Sequence, residues 1–221
     1  MEVIKKDRSN FGTLEIDFYL DKDRNILVTI EQLAQGFGYK NRKAVEKMVE
    51  RNPYLKNKQF SVTDKLSATD GKKYETRLFT KRGIYEVGML SRTEKGKIFR
   101  SWLYDHIEKM EEENAKFRLQ RELEKPKRKT LHDSIETWEL APKHAHPTVN
   151  NLLLKGASGL NKKQLMAERG GINGIDSLTS DELVKYQALE DMAIAMINLG
   201  MSYQDIKAMV FRQKENAPQG A

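Results

Sequence analysis

Between Phe11 and Leu20 the chain alternates, with Leu14, Ile16, Phe18 and Leu20 falling on one face, and the polar run Asp21-Lys22-Asp23-Arg24-Asn25 precedes the apolar Ile26-Leu27-Val28. A period of two interrupted by a polar turn predicts a β-hairpin. Thr29, followed three residues later by Gln32, is a capping box, so a short helix is expected from Ile30 to about Gly36 with Gly38 as its stop. Asn41 can cap a second helix, Arg42 to about Arg51, with Ala44, Val45, Met48 and Val49 at core spacing and Asn52-Pro53 ending it. Gln59 to Ala68 and Lys72 to Thr80 have strand composition and flank Asp70-Gly71, a strong hairpin signal.

Thr80 then caps a helix through Ile84, Val87 and Leu90. Another begins near Thr93, and its pattern of Ile98, Trp102, Leu103, His106, Ile107 and Met110 persists to about Leu123. Such a length exceeds the needs of a small domain and suggests an arm or coiled-coil segment. Lys125-Pro126-Lys127-Arg128-Lys129 is expected to break this helix and serve as a linker. Beyond it the pattern predicts a helix near Leu131 to Trp138, a proline-flanked loop from Pro142 to Pro147, a helix from about Val149 to Lys155, and a short one at Lys162 to Glu168. Two stronger helices follow, Ser180 to Leu199 stopped by Gly200, and one capped by Ser202 with Asp205. Met192, Met196, Met201 and Met209 fit helix core better than a binding surface.

The expected fold class is therefore α+β: a small mixed N-terminal domain with β-hairpins and a helix-turn-helix-like pair, a long connecting helix, and an all-α C-terminal domain. The corresponding boundaries are 1–111 for the first domain, 112–130 for a helical arm and basic linker, 131–215 for a helical interaction domain, and 216–221 for a disordered tail. Charge sharpens this division. Residues 1–130 hold 30 Lys and Arg against 21 Asp and Glu, a net +9, whereas residues 131–221 hold 9 against 11, a net −2. A polyanionic partner is thus expected to bind the first half. There is no cysteine, which excludes disulfides, thiolate metal sites and cysteine nucleophiles and suits a reducing compartment. No apolar run approaches the roughly 20 residues needed to span a bilayer, and the charged N-terminus is unlike a signal peptide, so a cytoplasmic protein that does not engage membranes is expected.

The chemistry concentrates between Thr29 and Arg51. A capped helix, the turn Gly36-Phe37-Gly38-Tyr39-Lys40 and a second helix opening Asn41-Arg42-Lys43 have the order of a helix-turn-helix unit. Lys40, Asn41, Arg42, Lys43 and Lys47 fall on the outer side of the second helix, where they can reach phosphates or base edges; a solvated basic face on a core helix is the competing reading. Lys72, Lys73 and Arg77 of the Asp70-Gly71 hairpin, with Lys81 and Arg82 after it, suit phosphate contact better than base reading, because mobile lysines fix no bidentate geometry.

The turn Leu33-Ala34-Gln35-Gly36-Phe37-Gly38-Tyr39, the block Leu78-Phe79-Thr80-Lys81-Arg82-Gly83-Ile84-Tyr85 and the block Phe99-Arg100-Ser101-Trp102-Leu103 occur in that order. Together they make the stretch from Ile26 to Met110 resemble the Bro-N domain of phage antirepressors and baculovirus repeated-ORF proteins. That resemblance implies a small α+β domain, binding to double-stranded DNA, and a part in the lysogeny decision or other viral gene regulation. Val149 to Leu154 and Leu199 to Lys207 are similar to the tails attached to Bro-N domains in phage antirepressors. A phage repressor is accordingly a further expected partner, and an antirepressor that sequesters it through the C-terminal helices without DNA is the alternative function. Homo-oligomerisation through the long helix or C-terminal domain is expected in either case.

His144-Ala145-His146, with His132 and Asp133 nearby, is the cluster closest to metal-ligand chemistry, but two histidines in a loop with no third ligand at fixed spacing argue against a metal. Gly170-Gly171-Ile172-Asn173-Gly174 lacks the strand and the Lys-Ser/Thr of a phosphate loop. No nucleophile elbow or His-Glu-x-x-His helix is present, and Asp181-Glu182 and Glu190-Asp191 read as solvated charge. The expectation is a non-enzymatic protein without cofactor.

Overall fold

The structure is a computed structural model that describes residues 3–67, 73–170 and 173–215. Its elements fall into two compact units, Met1–Glu112 and Glu113–Ala221. In the first, the expected hairpin forms from β2 (Leu14–Asp21) and β3 (Ile26–Thr29), paired antiparallel with Leu20 opposite Ile26. Asp21 organises the turn by accepting hydrogen bonds from the backbone N–H of Asp23 and Asn25. An unanticipated strand, β1 (Val3–Phe11), adds to the outer side of β2. Its sequence is mostly polar, which suits an edge strand and hides it from any search for apolar alternation. β4 (Ser61–Ser67) and β5 (Lys73–Thr80) form the second predicted hairpin, and β5 also pairs with β3, giving one antiparallel sheet of five strands in the order β1-β2-β3-β5-β4. The hairpin tip, with Asp70, Gly71 and Lys72, lies outside the described residues.

One face of β2 supplies Ile16, Phe18 and Leu20 to the first core, all essentially inaccessible. The helices α1 (Ile30–Gly36), α2 (Lys43–Arg51), α3 (Lys81–Leu90) and α4 (Glu94–Glu136) bring Leu33, Phe37, Val45, Val49, Ile84, Val87, Phe99 and Leu103 to the same cluster. Phe37 meets Phe99 edge-on at 5.0 Å between ring centroids, and Trp102 stacks on His106 at 5.4 Å. Burial holds the His106 imidazole below its ordinary range.

The predicted break at Pro126 does not occur: α4 runs through it. Pro126 is exposed, as is Glu122, whose carbonyl loses its helical donor there. A proline inside a helix, through the lost bond and the clash of its ring, costs about 3 kcal/mol. Beyond the proline, Leu131 and Ile135 are buried in the second core, as is Phe117 before it. Burying each such side chain gives about 1.5–3 kcal/mol, which outweighs the break.

The second unit comprises the end of α4 with α5 (Ala145–Ser158), α6 (Lys162–Arg169), α7 (Ser180–Asn198) and α8 (Tyr203–Glu215). α5 starts earlier than its apolar pattern suggests, because Pro147 sits in the first turn, where no intrahelical donor is needed. Thr179 with Glu182 and Asn161 with Gln164 form reciprocal capping boxes, and the Glu113 carboxylate accepts from the Ser180 N–H and hydroxyl at the start of α7. Met196 is core, Met192 and Met201 are partly buried against it, and Met209 is exposed. The expected tail at 216–221 lies outside the described residues, and no described helix is long and apolar enough to cross a membrane.

Candidate nucleic-acid interface

The helix-turn-helix-like pair is built by two local devices. Thr29 Oγ1 accepts the Gln32 N–H to open α1, and Gly38, at φ 77°, closes it while the Tyr39 N–H returns to the Ala34 carbonyl. Thr93 Oγ1 donates to the Phe37 carbonyl and accepts the Gly96 N–H, tying this turn to the start of α4. Asn41, exposed in the turn, accepts the Lys43 N–H on its Oδ1, while α2 begins one residue later than expected with Arg42 at the N-cap position.

The inward face of α2 is Val45 and Val49, flanked by the half-buried Ala44 and Met48. Opposite lie Lys43 and Lys47, with Lys40 in the preceding turn, all exposed and with no side-chain hydrogen bond or ion pair among the described residues. Arg51, not in the expected set, extends this stripe one turn further and is likewise exposed and unpaired among the described residues. The spacing of 43, 47 and 51, four residues apart, carries that signal in the sequence. Glu50 shares the face, which keeps a positive balance.

Arg42 differs from its neighbours. Its guanidinium donates to Glu31 Oε1 at 2.7 Å and pairs with Glu46 at 3.1 Å, which raises its pKa further, chiefly through the Glu31 hydrogen bond. Glu31 also accepts from Thr76 Oγ1 at 2.9 Å, so Arg42 helps tie α2 to α1 and β5. Arg77 donates to Ser61 Oγ at 2.8 Å. Arg42 and Arg77 line a common cleft of about 390 Å³ with Lys56, but Glu46, Glu50 and Glu75 line it too. The cleft between α2 and the hairpin is therefore charge-balanced.

The remaining expected cations lie apart from this stripe. Lys73 is exposed on β5. Lys81 pairs with Glu111 at 2.6 Å and lies over the Tyr85 ring, the Glu111 hydrogen bond raising its pKa. Arg82 is exposed on α3 and reaches Gln59 Oε1 at 3.4 Å. Lys72 falls outside the described residues.

A five-stranded antiparallel sheet carrying a helix-turn-helix-like pair with a basic outer stripe makes up a small α+β domain. Residues 15–109 match the family model described as BRO family, N-terminal domain, so the N-terminal unit carries a Bro-N domain. The matched segment starts in β2 and ends within α4, containing both helices of the pair and the whole β4–β5 hairpin. No curated protein matches the chain.

Proposed function

We propose that this chain is a non-enzymatic transcription regulator of the phage antirepressor type that docks the outer face of α2 on duplex DNA and controls lysogenic or lytic gene expression. The observation that carries this reading is the stripe Lys40, Lys43, Lys47 and Arg51, four cations on one side of a helix with no protein partner among the described residues. Cations left unpaired and solvated beside a helix N-terminus favour a polyanion, and lysines supply phosphate contacts that position a protein without reading sequence. Arg42 and Arg77 act as scaffold because Glu31, Glu46 and Ser61 hold them.

Gel mobility of duplex DNA with the full chain tests the assignment. Changing Lys40, Lys43, Lys47 and Arg51 together to Ala is expected to weaken binding at least ~30-fold at low salt, whereas Arg42→Ala weakens it less than ~3-fold. Equal affinity of the four-site variant and the natural chain overturns the placement on α2. No duplex binding at all leaves the second reading, sequestration of a repressor by the helical unit, which the exposed Leu119, Leu123 and Leu199 favour.

A further inference from the structure

In the helical unit, His132 and Glu136 lie four residues apart on α4 and so project from one face. His144 precedes α5 in a left-handed conformation, φ 59°, and the chain turns there so that His146, on the first turn of α5, meets that face. The His146 and His132 rings stack at 4.4 Å between centroids, and Glu136 Oε1 is 2.7 Å from His146 Nε2 and 3.8 Å from His132 Nε2. One ligand atom from each of the three residues lies within 4.8 Å of the others. Two ligands about 2.1 Å from a tetrahedral ion are roughly 3.4 Å apart, a separation between the 2.7 Å and 3.8 Å seen here.

We propose that His132, Glu136 and His146 bind one divalent transition-metal ion of the zinc class. Two imidazoles with one carboxylate suit zinc-like ions and disfavour calcium and magnesium, which take oxygen ligands. A second observation points to an occupant. Both rings line a cavity of about 220 Å³ whose wall also includes Arg128, Asn150, Tyr186 and Glu190. Glu190 is fully buried, and neither of its carboxylate oxygens has a hydrogen-bond partner among the described residues. A buried carboxylate without a hydrogen-bond partner beside this cavity, whose wall is completed by Leu131 and Ile135, calls for water or a cation there. Three protein ligands leave a coordination position for water, and this cavity has room for it. The expected loop is corrected at His146, which is helical, and Glu136 lies beside it, a neighbour that the spacing of His144 and His146 did not reveal.

The test uses the untagged full chain and zinc chloride, with binding followed by calorimetry and by the imidazole NMR resonances of the four histidines. Saturable uptake of one zinc per chain is expected, with shifts at His132 and His146 but not at His106 or His144. His132→Gln and His146→Gln are each expected to weaken binding at least ~10-fold, and His144→Gln to leave it unchanged. The resonance readout needs no variant and so holds even if a substitution disturbs folding. Shifts confined to His144 or His106, no saturable uptake, or undiminished affinity in both Gln variants overturns the site.

Discussion

Gly83→Ala is expected to destabilise the N-terminal unit by about 2–4 kcal/mol, although it replaces a helical glycine with the best helix former. A Cβ at Gly83 would lie 1.9 Å from the Phe60 carbonyl oxygen and 3.0 Å from Phe79 Cδ1. The Phe60 carbonyl cannot move aside freely, because it accepts the Thr80 N–H at 2.9 Å next to the cap of α3. A propensity gain of about 1 kcal/mol is therefore overwhelmed by displacement of α3 from the strand hairpin. Denaturant unfolding followed by Trp102 fluorescence, in a Trp138→Phe background so that the signal belongs to the first unit, measures the effect. Arg82→Ala, at an exposed position one residue earlier, is expected to shift stability by less than ~0.5 kcal/mol. A stability within ~0.5 kcal/mol of the natural chain for Gly83→Ala contradicts this packing.

Glu190→Gln is expected to stabilise the helical unit above neutral pH and to flatten its pH dependence. Burial pushes the Glu190 carboxyl up to about 7, with Asp191 adding to the rise and Arg128, Tyr186 and Arg121 opposing it. The Tyr186 hydroxyl approaches this carboxyl but donates to Asn150 Oδ1 at 2.9 Å. A folded pKa above the unfolded value means the native state holds the extra proton. Its contribution to stability is complete below about pH 4.5 and is lost as pH rises through about 7. The natural chain should lose roughly 2 kcal/mol from this group between pH 5 and 8, and the Gln variant should not. His132 and His146 line the same cavity, so the quantity to measure is the difference between variant and natural chain, in chelator. Glu182, held below the ordinary carboxylate range by Arg169 and Thr179, titrates below this window. Parallel stability curves for the two proteins refute the assignment.

Much of the fold is legible in the sequence because local rules agree with the tertiary outcome. Thr29, Thr80 and Ser202 cap the helices they precede, Gly38 and Gly200 stop the helices before them, and Leu14 to Leu20 alternates as a half-buried strand should. What escaped was decided by contacts distant in sequence. β1 is a polar edge strand, recognisable only by its pairing with β2. The continuity of α4 through Pro126 depends on Phe117, Leu131 and Ile135 entering a core that α5 and α7 complete. The basic face of α2 was legible from spacing, Arg51 included. The neutralisation of Arg42 was not, since Glu31 lies 11 residues away on another helix. In the same way, Glu136 and His146 are 10 residues apart and meet only because the chain turns at His144.

The central claim, that the α2 stripe contacts DNA phosphates, is tested most directly by the salt dependence of duplex binding. For B-form DNA the slope of log K against log salt is about −0.9 per phosphate neutralised. Replacing Lys40, Lys43, Lys47 and Arg51 with Ala in the full chain is predicted to make that slope shallower by about 3.6, as four phosphate contacts are lost. A slope that stays the same, or that changes only when Lys73, Lys81 and Arg82 are replaced instead, contradicts the account.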